Sequence, residues 1–323
     1  MRIRKAVITA AGRGVRLCPA AVTVQKAMLP MVDRDGLSKP VIQIIAEEAL
    51  ESGIEELCVV CAPGDEEQYL SRFRSLRENL LVAHKGSDWA HQQAERVSNL
   101  LLRIQFRAQE EPLGYGHAVH CAKSFVGEEP FLLLLSDHLY VSDLADQRCA
   151  RQVMSLAEGQ SCAVAAVHAT REHLVGRYGT LSGRRVPDMP GAYQIERILE
   201  KPSVSAAEAQ LHTPGLRAGH FLCFFGMHVL TPALFQLLDA AIAEAKSAGG
   251  EVQLTPALQA LAEREKYLAL EVAGRRYDIG AKFGVLQAQI ALSMAGRDRD
   301  QVLATLTELL AESALLRNRE TGK

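Results

Sequence analysis

The chain has 323 residues, enough for one large or two modest domains, with 48% hydrophobic residues, 23% charged residues and a formal net charge of −2. That balance, without a long basic block, excludes a broad nucleic-acid surface, and no run of about 18 apolar residues is present to form a membrane-spanning helix. The basic start of the chain carries an apolar run too short for a signal peptide, and seven scattered cysteines read as reduced thiols of a cytoplasmic protein.

Lys5 to Ala10 reads as a buried first strand. It runs into a glycine-bearing loop with Gly12, Gly14, Arg16 and, ten residues on, Lys26. Such a loop lets backbone N–H groups approach an anion, and the two cations can neutralise a phosphoryl group in transfer. A lone G-x-G is a weak signal. The third glycine of a dinucleotide fingerprint is replaced by Leu17, which disfavours a nicotinamide dehydrogenase, and no G-K-[ST] of a P-loop is present.

Lys39 to Ile42 opens a helix that ends near Ser52-Gly53, and Glu56 to Ala62 is a second strand closed by Pro63-Gly64. Cys58 and Cys61 match C-x-x-C, but on a strand they face opposite ways and read as core. Asp65 to Leu76 is predicted helical with Asp65 as cap. Residues 77–99 are mixed and end in a polar stretch that reads as helical or irregular, where Trp89 anchors the excursion to the core or to a partner subunit, the core being the favoured reading. Leu102 to Phe106 is a third strand, followed by the Gln109-to-Gly116 segment and a helix to about Lys123 on which His117 and His120 read as packing or surface residues. The apolar run Pro130 to Leu135 is a central parallel strand ending in Ser136-Asp137.

Alternation of strand and helix over the first 140 residues predicts a doubly wound α/β sheet, and ligands bind beyond the carboxyl ends of such strands. The Ala11-to-Lys26 loop, the Gln109-to-Gly116 loop and Asp137 all fall at that edge. Further on, a helix over Asp143 to Leu156 leads to a strand over Ser161 to His168. Shorter strands follow at Tyr178–Leu181, Tyr193–Leu199 and Gly219–Met227. A helix over Thr231 to Ala248 has Pro232 in its first turn, and Gly249 to Pro256 opens another, with Glu251 suited to its N-terminal dipole. Tyr267 to Val272 is a strand, Tyr277 to Gly280 follows, and from Lys282 the chain reads as helical, a tail that either caps the core or pairs with another subunit.

Taken in order, these segments resemble the bacterial sugar-phosphate nucleotidyltransferases, nearest to the UTP–glucose-1-phosphate uridylyltransferases. Ala11-Gly12-Arg13-Gly14-Val15-Arg16, Pro19 and Gln25 to Pro30 match the family's opening pattern. Gln109 with Leu113 to Ala118 matches its base-binding segment; Ser136-Asp137, Tyr178-Gly179, Glu200-Lys201-Pro202, Gly249 to Pro256 and Asp278-Ile279-Gly280 match later ones, across about residues 3 to 295.

The resemblance implies a Rossmann-like mixed sheet with a smaller β-rich sugar-binding part. The catalytic domain spans 1–295, with 1–140 holding the nucleotide and 141–280 the sugar, and 296–323 is a helical extension. It implies attack of a sugar 1-phosphate on the α-phosphorus of an NTP, most simply UTP with glucose 1-phosphate, giving a nucleotide-sugar and pyrophosphate. Arg16 and Lys26 take the catalytic role. Ala11, Gly12, Gly14, Gln109 and Gly114 bind the nucleotide, with Gln109 on the pyrimidine edge and Gly114 letting the base lie close. Lys201 takes the sugar phosphate, Glu200 and Glu251 the sugar hydroxyls, and Gly179 leaves room for the ring. Asp137 and Asp278 hold Mg²⁺. Partners are the two small substrates, and a homodimer or homotetramer is compatible with the tail.

The chain departs from the family pattern at Val15, Val22, Gln25, Ser136, Gly250 and Pro256. These changes leave two other readings to weigh, a thymidylyl- or other pyrimidine transferase and a non-catalytic nucleotide-sugar-binding relative.

Overall fold

The computed structural model describes residues 1–12, 14, 16 and 24–320, with side chains through residue 314. Val15, Cys18, Pro19 and Val22 lie outside the described residues. The elements in chain order are β1 (Lys5–Thr9), β2 (Pro30–Val32), β3 (Ser38–Pro40), α1 (Val41–Leu50), β4 (Glu56–Cys61), α2 (Asp65–Ala83), α3 (Asp88–Arg103), β5 (Ile104–Ala108), α4 (Tyr115–His120) and α5 (Lys123–Val126). Then come β6 (Phe131–Leu135), β7 (His138–Ser142), α6 (Cys149–Gln160), β8 (Ala163–Arg171), β9 (Thr180–Arg185), β10 (Ala192–Leu199), α7 (Val204–Gln210) and β11 (His220–Leu230). The chain closes with α8 (Ala233–Ala248), α9 (Leu254–Arg264), β12 (Tyr267–Glu271), β13 (Gly274–Asp278), α10 (Gly284–Met294) and α11 (Arg299–Glu320).

Nine strands form one mixed sheet in the order β5-β4-β1-β6-β11-β8-β12-β10-β9. β5, β4, β1 and β6 run parallel, with Ala6 beside both Leu57 and Leu132. β11 then runs antiparallel to β6 and β8. Side-chain alternation divides the core in two. Ile8, Leu57, Val59, Leu132 and Leu134 enter one layer with α1 and α6, while Val7, Cys58, Val60, Phe131 and Leu133 enter the other with α4, α8 and α9. Strands buried on both faces need the continuous apolar runs seen at β4 and β6. Cys58 and Cys61 fall in opposite layers, buried and free, as the strand reading expects.

Several boundaries differ from the sequence reading. Residues 77–83 close α2 and 88–99 belong to α3, with a turn at 84–87 between them. α3 is amphipathic, with Ala90, Gln93, Ala94, Val97 and Leu100 buried at helical spacing, and it runs through the positions read as the start of a strand. Leu102 is 86% exposed on its last turn, so the apolar run at 100–102 belongs to a helix and β5 starts at Ile104. Gly64, left-handed at φ 82°, sits at the cap position given to Asp65, and Asp65, Glu66 and Glu67 fill the first turn, where they complement the dipole. Trp89 is 41% exposed and tilts on His84 with ring centroids 4.8 Å apart, so it does not anchor the excursion to the core.

Two small antiparallel pairs were not legible in the sequence. β2 and β3 form a hairpin before α1. β7 pairs with β13, so the chain after Asp137 is a strand where the sequence suggested the approach to a helix, and α6 begins only at Cys149. The helical tail breaks at 295–298. α10 docks on the β2 edge, where the Gln289 amide accepts from Val32 N (2.9 Å) and donates to Val32 O (3.1 Å). α11 leaves the body; from Thr307 through residue 314 each described side chain is exposed, so this part of the tail does not cap the core.

Candidate active site

Three clusters line the carboxyl edge of the parallel strands. The first is ionic. Asp137 lies two residues beyond β6, and β13 delivers Asp278 directly opposite His138 of β7. Ile279 N donates to Asp137 O at 2.9 Å and closes the pairing. Lys26 opens a short 3₁₀ turn held by buried Ala27, and its Nζ reaches Asp137 Oδ2 at 2.7 Å. Arg16 bridges both acids, Nη2 to Asp137 Oδ2 at 3.1 Å and Nη1 to Asp278 Oδ2 at 2.8 Å. Gly280 N also donates to Asp278 Oδ1 at 2.8 Å. Burial works against a charged Asp137, but the neighbouring imidazole, where acid protonates it, and the Lys26 and Arg16 cations outweigh it and hold the carboxyl below its ordinary range. Burial also drives His138 down to about 4, so at neutral pH its ring is uncharged and the two cations supply the offset.

The second cluster surrounds Gln109, the first residue after β5. Its backbone N donates to Cys61 O at 2.8 Å. Its side-chain Nε2 donates to Gly114 O at 3.0 Å and lies 3.2 Å from His117 Nδ1. A carbonyl partner fixes the amide orientation, so Oε1 is the atom left to accept from a ligand. His117 is thereby part of this cluster, which the reading of it as a packing or surface residue missed.

Gly114 has φ 108° and ψ 179°, a region essentially reserved for glycine. A Cβ there would stand 2.8 Å from Val252 O and 3.0 Å from Val252 N. The close approach is therefore to the 251–252 backbone, which is clamped by Val252 N to Leu113 O (2.6 Å) and Gly116 N to Val252 O (2.7 Å). Gly114→Ala is expected to cost about 1–3 kcal/mol through the forbidden φ alone, read as a lower midpoint of denaturant unfolding.

The third cluster holds Gly179, Glu200 and Lys201. A Cβ on Gly179 would lie 2.6 Å from the Phe224 ring and 3.3 Å from Glu200 Oε2. Glu200 Oε2 accepts from Thr255 Oγ1 at 2.6 Å. Lys201 adopts a left-handed φ of 44°, unusual outside glycine, and its Nζ lies 3.2 Å from Glu200 Oε1 with the side chain 60% exposed. Glu251 is exposed two residues before the α9 cap Gln253, not in the first helical turn.

Backbone links join the clusters. The 251–255 segment touches Gly114 at one end and Glu200 at the other. Arg276, two residues before Asp278, donates to Phe224 O at 2.8 Å and stacks over Tyr178 at 4.3 Å, while Phe224 N donates to Gly179 O at 2.8 Å. Ala11 is half-buried and Gly12 exposed with open space around it, and Gly14 has φ 63°. Among the departures from pattern, Ser136 is buried with its N–H on Thr9 O at 3.2 Å, and Pro256 fits the first turn of α9. One nitrogen of His138 and one oxygen each of Asp137 and Asp278 lie within 4.8 Å of one another, a donor set able to hold a divalent cation.

The profile of the nucleotidyl transferase family matches residues 5–293. A UTP–glucose-1-phosphate uridylyltransferase of Bacillus subtilis is 34% identical over 317 residues, 96% of this chain and 98% of that protein. A solved UDP-glucose pyrophosphorylase from Acinetobacter baumannii superposes with a TM-score of 0.77 at 28% identity, over 95% of this chain and 99% of that one. A UDP-glucose pyrophosphorylase solved with UDP-glucose superposes with a TM-score of 0.68 at 29% identity, over 90% of this chain and 98% of that one.

Proposed function

The chain belongs to the nucleotidyl transferase family, and on that footing we propose that it makes UDP-glucose and pyrophosphate from UTP and glucose 1-phosphate. The single observation that carries the reading is the meeting of Arg16, Lys26, Asp137 and Asp278 at one point from positions up to 262 apart in the chain. A phosphate oxygen of the sugar 1-phosphate forms a bond to the α-phosphorus of UTP, the bond from that phosphorus to the bridging oxygen breaks, and pyrophosphate leaves. Such a transfer needs alignment and charge compensation more than covalent help.

Arg16 and Lys26 are placed to neutralise the triphosphate, with Ala11, Gly12 and Gly14 offering backbone N–H groups around it. Asp137 and Asp278, hard oxygen donors, suit Mg²⁺, which when bound supplies positive charge to the phosphates. Gln109 Oε1 is set to accept N3–H of uracil, and a cytosine N3 meeting it places acceptor against acceptor. Glu200 and Glu251 serve sugar hydroxyls, Lys201 the sugar phosphate, and Gly179 leaves the ring its space. The first 140 residues then hold the nucleotide and residues 141–280 the sugar. We assign the protein to the cytoplasm, where free buried thiols such as Cys149 and Cys223 stay reduced. No described helix is long and apolar enough to cross a membrane. The exposed part of α11 is where a further subunit of a homodimer or homotetramer packs in this reading.

The test is pyrophosphate release with each common NTP, a panel of sugar 1-phosphates and Mg²⁺, against a Lys26→Ala control. UTP with glucose 1-phosphate should give the highest kcat/KM, and CTP should fall below it by at least about a hundredfold. A higher kcat/KM for dTTP than for UTP would reassign the base, since Gln109 reads the same edge of thymine. Binding of UDP-glucose without turnover of any pair would make the protein a non-catalytic relative.

A further inference from the structure

We propose that His138 is a third metal ligand in this site, an imidazole added to the two carboxylates, which tilts its preference toward Mn²⁺ over Mg²⁺. The inference rests on the reading of Asp137 and Asp278 as the metal carboxylates. His138 stands directly opposite Asp278 in the β7–β13 pair, so the two side chains leave the same face of the ribbon. Its Nε2 lies 3.8 Å from Asp137 Oδ1, too long for a hydrogen bond, and its ligating nitrogen is within 4.8 Å of an oxygen of each acid.

The ring is held in place by shape. Gly226, at φ 83°, has no Cβ, and one built there would collide with His138 Nδ1 and stand 2.7 Å from Cε1. Tyr140 meets the ring edge-on at 6.5 Å and donates its hydroxyl to Gly226 O at 2.9 Å, fixing the wall the ring rests against. Among the described residues neither ring nitrogen makes a hydrogen bond, and Nδ1 is buried without a partner. Nδ1 faces the Gly226 wall, so Nε2 is the nitrogen turned toward the acids, and among the described residues it makes no hydrogen bond within the protein. A coordination bond would use it. Carboxylate and water oxygens suit Mg²⁺ and Mn²⁺ alike, so the carboxylates do not separate the two; an added imidazole nitrogen is a ligand for first-row transition ions and favours Mn²⁺, the one transition ion of the pair.

The test reads the metal itself. The full-length protein is mixed with UTP and Mn²⁺, without a sugar phosphate so that nothing turns over, and examined by electron spin-echo modulation. The expected result is a directly coordinated ¹⁴N signal that changes to ¹⁵N when histidine alone is ¹⁵N-labelled and disappears in His138→Asn. In the same mixtures, the ratio of Mn²⁺ to Mg²⁺ affinity should fall on the order of tenfold in His138→Asn. The wild-type labelling result stands even if the variant folds poorly. Mn²⁺ bound to the protein–UTP complex without a histidine nitrogen signal overturns the imidazole ligand while leaving the carboxylate site in place. No Mn²⁺ held by the protein–UTP complex overturns both.

Discussion

Asp137→Asn is expected to leave a folded protein whose pyrophosphate release falls by at least about 10²–10³-fold in kcat, the scale of losing one preorganised electrostatic group. The side chain is 13% exposed, and its Oδ2 receives both Lys26 and Arg16, at 2.7 and 3.1 Å. Asparagine keeps the shape but removes the charge that orients the cations and, in the proposed reaction, holds the metal. Far-ultraviolet circular dichroism of the variant checks the fold, and steady-state release of pyrophosphate checks the rate. Retention of more than about a tenth of wild-type kcat would remove Asp137 from the catalytic centre. The carboxyl is held below its ordinary range in the fold, so its contribution to stability is present above the unfolded value of about 3.9 and is lost only as pH falls through the lower native one. The rate loss should therefore persist unchanged across pH 6–8.

Lys39→Met is expected to destabilise the protein by about 3–5 kcal/mol, the scale for removing one partner of a buried charge cluster. Lys39 is 3% exposed and its Nζ meets Asp33 at 2.9 Å, Asp35 at 2.7 Å and Glu47 at 2.7 Å. Gln43 donates to the other Glu47 oxygen at 2.8 Å. Without the ammonium, carboxylates are left close together at the base of α1. Burial opposes charge on Lys39, but Glu47, Asp33 and Asp35 overcome it and raise its pKa. A raised lysine contributes fully below its unfolded pKa of about 10.4 and loses that contribution only as pH rises through the higher native value. The deficit should thus appear undiminished from pH 6 to 9. Urea unfolding of the two proteins measures it, and a deficit under about 1 kcal/mol would show the cluster to be no better than an apolar packing.

The central sheet was legible because its strands are buried on both faces, and Pro130 to Leu135 and Glu56 to Ala62 can do little else. The charged points at its edge were legible as a set, since strand ends are where this topology exposes side chains. What escaped were features without periodicity. β7 and β13, HLYVS and GRRYD, mix polar and apolar residues over five positions each, so neither announces a strand, yet their pairing is what brings Asp278 to Asp137. His138 and His117 are single residues whose meaning depends on a neighbour far away in the chain. Lys39 looked like the first residue of a helix because nothing in a one-dimensional pattern marks a buried cation. Leu102 misled in the opposite direction, an apolar residue at the end of an apolar run that the fold leaves in water.

The ion pairs at the site carry a thermodynamic consequence. Among the described residues, the two cations and two carboxylates that pair there sum to zero, so the site carries its own counter-ions. A polyanion that draws Arg16 and Lys26 toward itself strips the acids of their partners, and a cation that claims the acids releases the arginine and lysine. Each guest undoes the obstacle to the other. By reciprocity, the factor by which the metal tightens the nucleotide is the factor by which the nucleotide tightens the metal. The two should therefore saturate the protein together, each binding weakly when offered alone.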